Sequence, residues 1–104
     1  MEYVKAARVS DIPDPGKQVL EIDDRFVVLL HVGGEFFCID DRCTHDDGPL
    51  GEGDLCDHQI ACPRHGAKFD VRDGRAVTMP ATETTTVHEV KVDGGDVYVK
   101  INEG

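Results

Sequence analysis

The sequence predicts an all-β fold. Short runs rich in β-branched or aromatic residues recur along the chain, no segment shows a helical period, and pairs of Asp or Gly separate one apolar run from the next. At 104 residues the chain is long enough for one modest core and too short for two, so a single domain over residues 1–104 is expected.

The elements follow in order. Tyr3–Val9, Gln18–Ile22, Phe26–Val32 and Glu35–Ile39 read as strands, with Asp23-Asp24 and Gly33-Gly34 as the hairpin turns between the last three. The segment from Asp40 to about Cys56 breaks the pattern: it is rich in Asp, Gly and turn residues, and a loop of that length inside a compact domain needs something to order it. Asp73-Gly74 marks another turn. Val87–Val92 and Val97–Ile101, joined by Asp93-Gly94-Gly95, read as a closing hairpin in which Val90, Val92, Val97, Val99 and Ile101 share one buried face.

Composition narrows the function classes. Lys+Arg number 11 against Asp+Glu 21, a net charge of -10, so phosphate backbones and anionic lipid are repelled; no nucleic acid and no membrane are expected as partners. The start, MEYVKAARVS, lacks the apolar core of a signal peptide, and the longest apolar run, FVVLL from Phe26 to Leu30, is far short of about 20 residues needed to span a bilayer. A cytoplasmic location is the expectation, and there four cysteines suit reduced thiols or metal ligands better than structural disulfides. No Ser-His-Asp set, phosphate-binding glycine loop or paired-carboxylate site is legible. The chain is therefore not expected to be an enzyme of those classes.

The chemistry concentrates in two stretches, CTHDDGPL (Cys43 to Leu50) and CPRHGAKFD (Cys62 to Asp70), with sixteen residues between His45 and Cys62. Cys43, His45, Cys62 and His65 form two local pairs, each mixing one thiolate with one imidazole. A tetrahedral zinc site could use the same four groups, but zinc fingers pair Cys with Cys and His with His, which leaves a zinc structural module as the minor alternative. Mixed pairs suit a cluster of two irons in which each loop gives a cysteine to one iron and a histidine to the other.

On these residues the sequence closely resembles the Rieske-type [2Fe–2S] proteins, whose pattern is Cys-x-His, a spacer of some fifteen residues and Cys-x-x-His-Gly. The likeness extends to Gly48-Pro49-Leu50, similar to the turn that covers the cluster, to Gly66, Phe69, Asp70 and Gly74 after the second pair, and to Pro80-Ala81, similar to the family's proline-containing third loop. The resemblance implies an antiparallel β-sandwich or barrel of Rieske type with a small cluster-binding subdomain formed by two loops, about 41–50 and 61–67. It implies one [2Fe–2S] cluster, with Cys43 and Cys62 on a buried iron and His45 and His65 on an outer one.

Charge arithmetic says why such ligands are useful. Two ferric ions, two sulfides and two thiolates sum to about zero, whereas four thiolates would leave about minus two, so an electron is added more easily here; such clusters span about −150 to +300 mV against about −400 mV for plant-type ferredoxins. High-potential members of the family carry an extra disulfide and a Ser and a Tyr that donate hydrogen bonds to sulfur. Here the matching positions hold Gly48 and Arg64, and then Ala67 and Phe69, which donate nothing from their side chains. A low potential is expected.

The free-standing members it resembles take single electrons from a flavin-dependent reductase and pass them to a terminal oxygenase. The resemblance thus implies a monomeric ferredoxin with those partners, meeting their basic docking faces; the alternative is a Rieske-like small subunit of a larger oxidoreductase such as nitrite reductase. Outside the motif, Cys38 and Cys56 read as small buried hydrophobes with a disulfide as the sharper alternative. His31, His58 and His88 read as ordinary surface or turn residues. Asp40, Asp41, Asp46 and Asp47 read either as a solvated loop or as a negative ring that steers a basic partner.

Overall fold

The computed structural model describes residues 2–42, 50–63, 66–77 and 84–102. Among the described residues nine strands form two antiparallel sheets: β1 (Val4–Arg8), β2 (Gly16–Ile22), β3 (Arg25–Val32), β4 (Glu35–Asp40), β5 (Leu55–Cys56), β6 (Gln59–Ala61), β7 (Lys68–Asp70), β8 (Val87–Asp93) and β9 (Asp96–Lys100). The larger sheet has the order β1-β9-β8-β4-β3-β2 and the smaller β5-β6-β7. One short 3-10 turn, Val9–Asp11, follows β1.

Local chemistry explains the hairpins. β2–β3, β3–β4 and β8–β9 are each closed by two residues, Asp23-Asp24, Gly33-Gly34 and Gly94-Gly95, and both residues of each turn have positive φ, the type I′ arrangement whose twist matches that of the flanking strands. β8 serves two partners: Val87 and His88 pair with Ile39 and Cys38 of β4, while Glu89–Asp93 pair with β9. The sheet thereby turns from one partner to the next around a core of Ile12, Ile22, Val27, Leu29, Cys38, Val97, Val99 and Ile101.

Strand β3 is the pivot of the molecule. Val27 and Leu29 face that core, and their neighbours Val28 and Leu30 face a second one, in which Ile39 of β4 meets Leu50, Ile60, Cys62, Ala67, Phe69 and Val71 of the small sheet and its loops. Burial on both faces is why FVVLL is continuously apolar instead of alternating. Each fully buried side chain of this kind contributes about 1.5–3 kcal/mol.

Two sequence expectations change. The small sheet has no counterpart among the expected strands, because its members are two or three residues long, too short for alternation to show. Val92, expected on the buried face of the closing hairpin, is 52% exposed beside the Gly94-Gly95 turn, although Val97 opposite it is fully buried.

Candidate metal centre

The first cysteine and histidine fall between Arg42 and Leu50, and the roots of that loop are tied from both sides. Asp41 sits just beyond β4; its Oδ1 accepts the backbone N–H groups of Leu50 (2.8 Å) and Gly51 (2.6 Å). Lys17 Nζ donates to the Gly51 carbonyl, so the residue is held through both of its backbone polar groups. The entering chain is fixed as well: Asp40 N–H donates to the Thr86 carbonyl (2.9 Å) and Asp41 N–H to the Phe26 carbonyl (3.0 Å). Leu50, fully buried, closes the loop against the second core.

The second pair falls in the six-residue loop, 62–67, of the β6–β7 hairpin, in which Ala61 pairs with Lys68. Cys62 N–H donates to the Ala67 carbonyl (2.6 Å), and Gly66 N–H donates to the Cys62 carbonyl (2.9 Å). Gly66 closes the loop with φ 75, a conformation a side chain would strain. Cys62 is 1% exposed and packs with Leu50, Ile60, Ala67 and Phe69. Gly53 lets the two loops approach: a Cβ there would sit 1.7 Å from the Ala61 carbonyl oxygen.

A third connection, between β7 and β8, is stitched to the other two at its ends. Val77 N–H donates to the Lys68 carbonyl (2.7 Å), beside the second loop, and Thr85 Oγ1 donates to the Arg42 carbonyl (3.3 Å), next to Cys43 in sequence. The roots of all three connections thus meet at one end of the molecule. Asp70, buried at the end of β7, anchors the turn that follows: Arg72 donates to it from Nε (3.0 Å), from its terminal nitrogen (2.7 Å) and from its backbone N–H (2.9 Å). The bidentate guanidinium hydrogen bonds hold this carboxyl below the usual carboxylate range, against a smaller opposing effect of burial.

Of the residues singled out in the sequence, Cys62, Leu50, Gly66, Ala67 and Phe69 are described and come together here. Cys43, His45, Gly48, Pro49, Arg64, His65 and Pro80 lie outside the described residues, as do Asp46 and Asp47. Among the described residues no group of three His, Cys, Asp or Glu side chains converges on one point.

The other expectations are corrected in part. Cys38 is buried in the first core, and burial, helped by the negative charge of Asp40, pushes its thiol up to about 12; Cys56 is exposed on the short strand β5, and both are free thiols. Asp40 and Asp41 are not part of a solvated loop. Asp41 is the clamp of the first loop, and Asp40 is buried in a network with Arg25 Nε (3.2 Å) and His88 Nε2 (2.7 Å). His88, expected at the surface, is buried, and its Nδ1 accepts the backbone N–H of Asn102 (3.0 Å), so its proton sits on Nε2 and is donated to Asp40. A signal existed: His88 shares strand parity with Val90. His31 is also engaged, stacked on Phe36 with ring centroids 4.0 Å apart and Nδ1 2.9 Å from the Ile12 carbonyl. His58 lies in the β5–β6 turn as expected, edge-on to Phe37.

The donor set of the two motifs fits a two-iron cluster, and the described part of the site agrees. Cys62 is shielded from water on an apolar floor, and beside it opens a hollow of about 420 Å³ lined by Glu52, Gly53, Asp54, Ala61, Pro63 and Gly66. A buried thiol under a loop with open space at Gly66, where a Cβ would meet nothing within 4 Å, suits a partly covered metal cluster.

Comparison with known proteins points the same way. The family model of the Rieske [2Fe-2S] domain matches residues 2–97. The ferredoxin subunit of 3-phenylpropionate/cinnamic acid dioxygenase from Escherichia coli K12 is 39% identical over 105 residues, covering 99% of this chain and 97% of that protein. Among solved structures, the ferredoxin of carbazole 1,9a-dioxygenase from Nocardioides aromaticivorans IC177 superposes with a TM-score of 0.91 at 25% identity, covering 95% of this chain and 97% of that one. A chain in a complex of reduced oxygenase and oxidised ferredoxin of carbazole 1,9a-dioxygenase gives 0.88 at 33% identity, with 93% and 91% covered.

Proposed function

This chain belongs to the Rieske [2Fe–2S] domain family, and from that premise we propose that it is a ferredoxin carrying single electrons from a flavoprotein reductase to the terminal oxygenase of a dioxygenase system. The observation that carries the reading is the end-to-end match to a ferredoxin subunit. Cys43 and Cys62 would hold one iron and His45 and His65 the other, with Gly48, Pro49, Arg64 and Pro80 around them. When bound, the cluster supplies a site that accepts and releases one electron without opening a coordination position to substrate.

The chain's own residues do the rest. Leu50, Ile60, Ala67 and Phe69 exclude water from Cys62, and Asp41, Thr85 and Gly66 fix the loop roots so that the ligands need little rearrangement between oxidation states. Ala67 and Phe69 are fully buried in the same cluster of side chains as Cys62 and offer no side-chain donor, which supports a low potential. The surplus of acidic residues suits partners with basic docking faces and a chain that stays monomeric, and the free thiols of Cys38 and Cys56 suit the cytoplasm. No helix among the described residues is long and apolar enough to cross a membrane.

The test is single-turnover transfer. Cluster-loaded, dithionite-reduced protein mixed with the oxidised oxygenase component of the E. coli 3-phenylpropionate/cinnamic acid system should lose one electron per chain, followed by its visible absorbance. No oxidation over minutes would contradict the reading.

A further inference from the structure

The face of β2 and β3 that packs on the small sheet runs out, at the loop-bearing end, into an uncovered aromatic. Phe26 shares strand parity with Val28 and Leu30, both fully buried, yet Phe26 is 59% exposed, the most exposed large hydrophobic among the described residues. Its carbonyl receives the Asp41 N–H, which places it at one root of the first loop. Val19, opposite Val28 on β2, is 40% exposed, and its Cγ2 lies 2.1 Å from where a Cβ on Gly51 would be, at the other root. Around this pair stand exposed carboxylates: Glu21 directly across from Phe26, then Asp23 and Asp24 in the adjoining turn.

We propose that Phe26 and Val19 form the apolar centre of the docking surface for the terminal oxygenase, which presents there an apolar recess rimmed by Lys and Arg. The proposal rests on the ferredoxin reading above. An electron must leave from the end where the three connections meet, and a standard interface covers about 800 Å² on each partner, enough to reach from the loops to their roots. Aromatic side chains at such centres carry a large share of the binding energy, while acidic residues at the rim direct a basic partner into register. A second copy of this chain is a poor occupant, because Glu21, Asp23 and Asp24 would face carboxylates across the contact on molecules already at -10. A relative of similar structure is a ferredoxin solved in complex with an oxygenase.

The experiment uses cluster-loaded wild type, Phe26→Ser, Val19→Ser and, as a control on β8 beside the far turn, Val92→Ser. Each is reduced with dithionite and mixed with increasing concentrations of the oxidised E. coli oxygenase component named above, at low and high salt. Phe26→Ser should raise the half-saturating concentration at least about tenfold, Val19→Ser should raise it several-fold less, and Val92→Ser should match wild type. Transfer at saturation should be unchanged in all three, with visible spectra and melting points like the wild type's. Val19→Ser carries the test if Phe26→Ser loads its cluster poorly. Wild-type affinity in both patch variants overturns the surface. So does a defect confined to reduction by a flavoprotein reductase, or a wild-type dimer in sedimentation that Phe26→Ser dissociates. No transfer from the wild type overturns the ferredoxin reading itself.

Discussion

Replacing Asp41 with alanine removes a carboxylate that joins the two roots of the first loop. Two backbone N–H groups lose a charged acceptor at 2.8 and 2.6 Å, and both belong to buried residues, Leu50 and Gly51. A hydrogen bond to a charged group contributes about 1.5–3 kcal/mol, and a buried donor left unmet costs about 1–3 kcal/mol. Asp41 itself is half-buried, so water recovers part of this, and about 2–4 kcal/mol in total is the expected loss. For a chain of this size each kcal/mol moves the melting point by about 4 °C, so a fall of about 8–16 °C follows. Asp41→Asn keeps an acceptor oxygen without the charge and should lose about half as much. The assay is thermal unfolding of the cluster-loaded protein at one scan rate, followed by far-UV circular dichroism and by visible absorbance. Because the defect lies at the loop, the visible signal should bleach before the sheet melts in Asp41→Ala and together with it in the wild type. A melting point within about 2 °C of wild type, with coincident transitions, would refute the clamp.

Further outcomes follow from single contacts. Gly53→Ala drives a methyl to 1.7 Å from the Ala61 carbonyl oxygen, and should destabilise by about 1–3 kcal/mol or more in equilibrium denaturation, with wild-type stability as the contrary result. Iodoacetamide at pH 8 should alkylate Cys56 in the native protein and leave Cys38, whose thiol ionises only near pH 12, intact by peptide mass mapping; equal labelling would contradict its burial. Asp70 has a depressed carboxyl, so the stability it contributes is present above about pH 3.9, the unfolded value, and fades as pH falls through its folded value. Arg72→Ala should therefore raise the Asp70 titration midpoint seen by NMR, and its stability deficit should vanish in acid. The double change Ala67→Ser with Phe69→Tyr should raise the midpoint potential in film voltammetry, and an unmoved or lowered potential would count against sulfur hydrogen bonding as the control.

Six strands of the large sheet were legible within about two residues because their signals are local: β-branched runs bounded by two-residue Asp or Gly turns. The family was legible too, since the chemistry of two mixed Cys/His pairs restricts residue type and spacing in the chain itself. What the sequence concealed depends on partners far along the chain. Asp41 looks like any loop carboxylate until Leu50 and Gly51 return to it, and Asp40 looks solvated until His88, forty-eight residues on, and Arg25 meet it. The strands Leu55–Cys56 and Gln59–Ala61 are too short to show a period; packing against β3 and β4, not propensity, makes them strands.

Everything proposed for this chain depends on a two-iron cluster held by mixed cysteine and histidine ligands. Its most direct test is the electron paramagnetic resonance spectrum of the dithionite-reduced protein, with iron, zinc and acid-labile sulfide counted in the same anaerobically reconstituted sample. About two irons and two sulfides per chain are expected, with a rhombic signal whose average g lies below that of all-cysteine clusters. A silent sample that holds zinc and no sulfide after reconstitution would contradict it.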